Sequence, residues 1–171
     1  RSNKLENIIR VLAWMLRMTR GTSGLGELPC KGKMIFQREL TAGEYDDSWM
    51  YLVYLEQKER LNRQDSKYLV PRVIQVKLES FDITVPHIVI GGRVRNFPAA
   101  FGLQQEIPII PSGPLAKRIL LWYHDRYHCD VDTVVAHVRQ DCWVVKARMH
   151  AAIWDRKCRI CLEKRKHKMK Q

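Results

Sequence analysis

The side chains in this sequence best suited to chemistry are two histidines and two cysteines near its C-terminal end. His124 and His128 lie four residues apart, and Cys158 and Cys161 form a Cys-x2-Cys pair after 29 intervening residues. Residues at positions i and i+4 of a helix project from one face, with Cβ atoms about 5 to 6 Å apart, within reach of one ion. Two imidazoles and two thiolates suit a tetrahedral zinc ion with no open coordination position. The spacing therefore predicts one structural zinc ion held by these four side chains, not a catalytic metal.

The same residues have other interpretations. A histidine pair beside Trp122 and Tyr123 can be a packing or surface feature, and a Cys-x2-Cys pair can be a redox site. The redox interpretation requires a thioredoxin-like strand and helix around the cysteines, whereas the flanking residues are polar and rich in lysine. Cys129, next to His128, is an alternative metal ligand. Three other residues of this neighbourhood are expected to be packing or surface groups: His137, His150 and Cys142.

Three short helices are expected to position the four ligands. Helical periodicity covers Leu115 to Tyr127, Val131 to Gln140 and Lys146 to Arg156, and Asp130 or Asp132 is available to cap the second helix. Three helices in about 45 residues bury little apolar surface, so such a unit needs an additional stabilising element. A structural zinc ion contributes on the order of 10 to 16 kcal/mol of apparent binding free energy, enough to decide whether such helices fold.

The upstream region is predicted to combine helices with short strands, so the expected fold class is α+β. Apolar residues at three- and four-residue spacing predict an amphipathic helix over Lys4 to Thr19. Thr41 and Glu44 form a capping box that opens a second helix ending near Leu61. The expected buried side of that second helix consists of Trp49, Leu52, Val53 and Leu55.

Two short strands and a connector are expected to follow. Val73 to Leu78 shows an imperfect alternation of apolar residues, and Ile83 to Val94 is rich in β-branched residues. Repeated prolines indicate an extended connector over Phe97 to Gly113. We therefore expect two parts: residues 1–106, with helices and short strands, and residues 107–171, with the zinc-binding unit and a basic tail.

Positive charge is concentrated at the C-terminal end. The net charge is +12, from 30 Lys and Arg against 18 Asp and Glu, and ten basic and two acidic residues in the last 26 positions leave +8 there. Such a distribution favours polyanionic partners such as DNA or another nucleic acid. A solvated basic tail and a nuclear localisation signal are alternatives. The candidate nucleic-acid-binding residues are Lys146, Arg148, Arg156, Lys157, Arg159, Lys164, Arg165, Lys166 and Lys168.

The cysteine content indicates a reducing compartment. Five cysteines are scattered along the chain, and no secretory signal precedes them. We therefore expect a nuclear or cytoplasmic protein without disulfides. The longest apolar stretches, such as the one around Leu12 to Leu16, are interrupted by arginine and are not expected to span a bilayer, so we expect a soluble protein.

The pattern as a whole resembles a known family. The order His124-x3-His128-x29-Cys158-x2-Cys161, with Cys-Trp-Val at 142–144 and arginine at 148, is similar to the HHCC zinc-binding domain of retroviral and retrotransposon integrases. The upstream segments at 88–94, 107–111 and 119–121 look like the stretch that precedes this domain in Bel/Pao-type LTR retrotransposon polyproteins. The resemblance implies a three-helix, helix-turn-helix-like zinc domain that contacts DNA and supports multimerisation.

Two features depart from that family. In that family a small residue and then glycine usually follow the second histidine, whereas this chain has Cys129 and Asp130. This departure affects the expected geometry of the turn more than the expected identity of the metal ligands. Integration chemistry resides in a separate RNase H-like core expected after Cys161, and ten residues follow Cys161. Because the chain starts at Arg1, we also expect it to be a piece of a longer protein.

Three functional hypotheses follow from these features. The first is a non-catalytic, zinc-stabilised module for nucleic-acid binding and assembly. The second is a domesticated host protein that uses the integrase-like fold as a scaffold for a protein partner or a homo-oligomer. The third is a fragment of an active integrase. We expect no strand-transfer activity and no small-molecule substrate for the chain itself.

Overall fold

The computed structural model describes residues 4–20, 39–61, 70–91 and 106–168 of the chain. The described residues contain six helices together with short strands, which confirms the predicted α+β class at this level. Within those ranges, no helix has the length and apolar character needed to cross a membrane.

The described elements follow one another along the chain. They are α1 (Lys4–Arg20), α2 (Ala42–Arg60), β1 (Arg72–Leu78), β2 (Ile83–Val89), β3 (Ile109–Ile110), α3 (Pro114–Tyr127), α4 (Val131–Asp141), β4 (Trp143–Val144), α5 (Ala147–Lys157) and α6 (Arg159–Lys168). Strands β1 and β2 form an antiparallel pair. Strand β3 pairs with β4 in parallel, with Ile109 opposite Trp143 and Ile110 opposite Val144.

Local sequence patterns predicted most of these elements to within two residues. The second predicted strand is shorter than expected, because β2 ends at Val89 and residues 92–94 lie outside the described residues. Most of the predicted connector from Phe97 onward also lies outside them. Helix α6 was not predicted, because its sequence is rich in lysine and arginine and shows no apolar period.

The described residues fall into two compact units. One lies within Arg1–Leu55 and Gln75–Pro86, and the other lies within Glu56–Ile74 and His87–Gln171. The boundary between residues 106 and 107 expected from the sequence stays a prediction. All four predicted metal ligands belong to the second unit.

In the first unit, α1 buries one apolar face. Leu5, Ile9 and Leu16 are each less than a tenth exposed, at the spacing expected for a helix that packs on one side. On α2, Val53 is fully buried, but Leu55, which was expected to be buried, is 39% exposed. Residues two apart on a helix point in nearly opposite directions, so the burial of Val53 turns Leu55 toward solvent.

Glu44 stabilises the start of α2 and ties it to α1. The Thr41 hydroxyl accepts a hydrogen bond from the Glu44 backbone amide at 3.2 Å, and a Glu44 carboxylate oxygen accepts one from the Thr41 amide at 2.8 Å. This geometry confirms the predicted capping box. The same carboxylate accepts a hydrogen bond from Arg17 Nε at 2.7 Å and forms an ion pair with the Arg17 guanidinium. Arg17 therefore lowers the pKa of Glu44 from its ordinary value of 4.5 to about 2.

We predict that Glu44→Gln destabilises the first unit by about 1 kcal/mol near neutral pH, because the variant loses a charged cap and an ion pair. Since the pKa of Glu44 is depressed in the folded state, its contribution is present above pH 4.5 and is lost as the pH falls toward about 2. Chemical denaturation of both proteins from pH 7 to pH 2 measures the difference. A difference that stays constant over that range would contradict the assignment.

In the second unit, the end of α2 holds the strands that precede the candidate site. The buried Gln57 side-chain amide donates hydrogen bonds to the Ile88 and Ile109 carbonyls, both at 2.7 Å, and its oxygen accepts one from the Ile88 amide at 2.9 Å. The neighbouring Glu56 carboxylate accepts a hydrogen bond from the Leu115 backbone at the start of α3. A Cβ atom at Gly113 would lie 2.5 Å from Glu56 Oε1, so a larger residue there would displace the Glu56 carboxylate.

The segment around β3 forms the centre of this unit. Ile109 and Ile110 are fully buried. On one side the Ile90 amide donates to the Ile107 carbonyl at 3.0 Å, and on the other the Val145 amide donates to the Ile110 carbonyl at 2.9 Å. Helices α3, α4 and α5 pack on one another beyond this segment. The start of α3 is thereby anchored, and its far end carries the histidines.

Candidate metal centre

Two chain reversals carry the four predicted ligands. His124 lies in the last turn of α3, and His128 is the residue that caps the C-terminal end of this helix. Cys158 is the C-terminal cap of α5, and Cys161 lies in the first turn of α6. Each pair of ligands therefore lies at a helix end. The chain changes direction there, which brings the side chains of both pairs toward a common point.

The turn after α3 is made by His128 and by Asp130, one of the two residues that depart from the integrase pattern. His128 adopts a left-handed conformation, with φ 43° and ψ 44°, and its amide donates to the His124 carbonyl at 2.7 Å. Asp130 then caps α4, because its carboxylate accepts hydrogen bonds from the Asp132 and Thr133 amides, both at 3.0 Å. Of the two caps considered from the sequence, Asp130 is the one used. The turn forms without glycine because His128 itself takes the left-handed position.

The four side chains converge on one point, and two of their separations match those of ligands around a tetrahedral zinc ion. Their nearest ligand atoms all lie within 4.8 Å of one another. Cys158 Sγ lies 3.4 Å from His128 Nδ1, and Cys161 Sγ lies 3.5 Å from His124 Nε2. Metal bonds of about 2.3 Å to sulfur and about 2.0 to 2.1 Å to nitrogen place tetrahedral ligand atoms roughly 3.3 to 3.8 Å apart. The four residues are therefore positioned to hold one metal ion.

Burial affects the protonation of the site. His124 is 2% exposed and Cys161 is 5% exposed, whereas His128 and Cys158 are partly exposed. Burial, together with the charge of the neighbouring His128, lowers the pKa of His124, which favours the neutral imidazole that metals bind. Burial and contact with Cys158 raise the pKa of Cys161 to about 11. Metal binding must displace the Cys161 proton, so affinity at this site is expected to increase with pH.

The neighbouring candidates lie outside the group of four among the described residues. The His137 ring stacks on Tyr127 with centroids 4.5 Å apart, and His150 Nε2 lies 2.8 Å from the Ser112 hydroxyl. Cys142 is buried, with its pKa raised by that burial. Cys129, the alternative ligand, is a partly exposed free thiol. The histidines thus have packing or hydrogen-bonding roles.

The basic residues assigned to nucleic acid have different environments. Arg148 forms an ion pair with Asp132 at 2.8 Å. Arg156 donates to the carbonyl of Ala152 at 3.2 Å, one turn earlier on the same helix. The remaining described members are exposed at or beyond the end of α5 or at its N-terminal cap: Lys146, Lys157, Arg159, Lys164, Arg165 and Lys166. The side chain of Lys168 lies outside the described residues.

Two of these residues contact the metal-binding segments directly. Lys164 Nζ donates to the His128 carbonyl at 3.3 Å. Arg165 forms an ion pair with Asp155 at 3.0 Å and donates to the Cys161 carbonyl at 3.3 Å. Sequence reasoning missed the contacts to His128 and Asp155 because charge and spacing do not identify an acceptor on another helix, whereas the Cys161 carbonyl lies one turn earlier on α6.

No family model, curated protein or solved structure matches the chain. The resemblance to integrases therefore rests on the residues of the sequence.

We predict that Cys158→Ser or His128→Ala lowers the bound metal below one ion per chain and unfolds the region from Leu115 to Cys161, because three ligands hold the ion less tightly. The N-terminal helices are expected to stay partly folded. Elemental analysis measures the metal, and circular dichroism during thermal unfolding measures the helices.

Cys129→Ser is the matched control, since it removes a nearby thiol that lies outside the group of four. Its metal content and thermal stability are expected to equal those of the unsubstituted chain. Loss of metal in Cys129→Ser but not in Cys158→Ser would mean that Cys129, and not Cys158, is the metal ligand.

Proposed function

We propose that His124, His128, Cys158 and Cys161 bind one zinc ion. The observation that carries this proposal is the convergence of two imidazole nitrogens and two sulfurs within 4.8 Å. Thiolate and imidazole ligands in tetrahedral geometry favour zinc over the hard cations calcium and magnesium, which prefer oxygen.

The ion would have a structural role. Four protein ligands leave no position for a substrate or an activated water molecule. The ligands connect the end of α3 with the junction of α5 and α6, so zinc would close the helical unit at the side opposite β3. This chain would act as a non-catalytic module similar to the HHCC domain of an integrase.

The experiment for this proposal is metal reconstitution. The chain is stripped with a chelator and titrated with zinc, and one zinc per chain is expected to restore the helical signal. Magnesium is the control, since its preference for oxygen ligands predicts no recovery. Equal recovery with magnesium, or none with zinc, would overturn the zinc assignment.

We further propose that the zinc-stabilised unit binds the phosphate backbone of nucleic acid. The support is the exposure of Lys157, Arg159 and Lys166, which form no ion pair with another described residue. Exposed cations release counterions when they contact phosphate, which yields affinity with little dependence on base sequence. Arg148 is a weaker candidate because Asp132 already neutralises it.

We predict that replacing Lys157, Arg159 and Lys166 by glutamine weakens DNA binding and makes it less sensitive to salt. Each lost phosphate contact reduces the slope of log affinity against log salt by about 0.9 for duplex DNA. Electrophoretic or anisotropy titrations at several salt concentrations measure both quantities.

Arg148→Gln is the control for that set, because it removes one arginine whose charge is already paired. We expect this variant to change the slope of log affinity against log salt by much less than the value of about 0.9 that corresponds to one phosphate contact. The absence of DNA binding by the unsubstituted chain even at low salt would remove the nucleic-acid proposal and leave the zinc proposal intact.

A protein-interaction scaffold is the second candidate function, and α1 favours it. Val11, Met15 and Met18 are 57%, 57% and 52% exposed at i, i+4 and i+7 spacing, on the face opposite the buried one. A helix that is apolar on two sides commonly packs against a second surface. Nothing in this feature depends on the zinc site.

We predict that Met15→Glu abolishes association with a protein partner if α1 is the contact surface, because it places a charge within the apolar face. Arg10→Glu is the control, since Arg10 is exposed but lies outside that stripe. Cross-linking and mass measurement of complexes formed in cells provide the comparison. Equal recovery of a stoichiometric partner by both variants would exclude α1 as its site.

A further inference from the structure

A single arginine bridges the helix junction that carries both thiols. Arg165 Nη1 lies 3.0 Å from Asp155 Oδ2, and Nη2 donates to the Asp155 carbonyl at 2.8 Å. The Nε of the same guanidinium donates to the Cys161 carbonyl at 3.3 Å. Asp155 lies in the last turn of α5, three residues before Cys158. The guanidinium thus contacts both sides of the interruption between α5 and α6.

The preceding residue contacts the other half of the site. Lys164 Nζ donates to the carbonyl of His128, at 3.3 Å. That carbonyl belongs to the residue with φ 43° that ends α3, so it lies in the turn that orients the second imidazole. On α6, Cys161, Lys164 and Arg165 occupy positions i, i+3 and i+4, so they share one face of the helix.

We propose that Lys164 and Arg165 are positioning residues of the metal site, and that they hold the Cys158–Cys161 junction and the His128 turn at the separation that one ion requires. This inference rests on the metal site proposed above. It gives two residues of the basic tail a role distinct from phosphate contact.

Removal of the Arg165 guanidinium is expected to change metal affinity more than it changes the free energy of unfolding. Ion pairs at exposed surfaces contribute little to folding, and Arg165 is about half exposed. Groups that orient metal ligands, in contrast, commonly change metal affinity by about 10- to 100-fold when removed. The planar guanidinium donates three directed bonds here, which a lysine ammonium at the same position does not reproduce.

The test uses the full chain and cobalt(II), whose absorption spectrum reports the geometry of its ligands. We expect Arg165→Gln to weaken cobalt affinity about tenfold, to speed transfer of the ion to a chelator and to alter the spectrum of the fully loaded protein. Lys164→Gln is expected to act in the same direction with a smaller effect. Arg165→Lys, which retains the charge, is expected to restore only part of the affinity.

Lys166→Gln is the matched control, since it removes the same charge from an exposed neighbouring position, and it is expected to leave affinity and spectrum unchanged. Failure of the unsubstituted chain to bind cobalt or zinc would remove the metal site itself. Normal cobalt binding by that chain, with unaltered affinity and spectrum in Lys164→Gln and Arg165→Gln, would overturn only the positioning role. If Arg165→Gln does not fold, Lys164→Gln and Arg165→Lys give the same decision.

Discussion

The approach of two thiols to two imidazoles is the contact on which the C-terminal half of the structure depends. It joins the end of α3 to the junction of α5 and α6, across a span of 29 residues between the inner ligands. Short helices bury little apolar surface on their own, so their arrangement needs a strong constraint at this end. The four ligand atoms that meet there are positioned to hold one metal ion, and under our proposal a bound ion would offset the cost of burying these polar groups.

The opposite end of α3 is held by ordinary hydrogen bonds and apolar packing. Gln57 binds two separate backbone segments with one amide, and Glu56 caps the helix start. The central strand β3 lies buried between its neighbours. Because α3 is anchored at its start, the same packing sets the direction of the helix whose far end carries the histidines. The candidate site is therefore an extension of the packed core.

Positive charge is used in more than one way in this unit. Arg148 and Arg165 are neutralised by carboxylates, and Lys164 reaches a backbone carbonyl next to the second histidine. Lys157 on α5 and Lys166 on α6 are exposed. A count of basic residues therefore overstates the surface available to a polyanion, because intramolecular acceptors use part of it.

The sequence by itself determined the features that depend on nearby residues. Ligand types and spacing singled out the four side chains that the structure positions to hold a metal ion. Apolar periodicity located α3, α4 and α5, and the Thr41 and Glu44 pair marked the start of α2. Helix periodicity and capping are interactions over three or four residues, so they are legible in the chain itself.

Only the tertiary structure decided the features that depend on contacts between distant segments. It placed Cys129 outside the ligand group, turned Leu55 toward solvent and brought Asp155 to Arg165. It also buried Gln57, a polar residue whose partners lie 31 and 52 positions away. Burial and partner choice are properties of the packed chain, since a polar side chain is buried where distant backbone groups satisfy its hydrogen bonds.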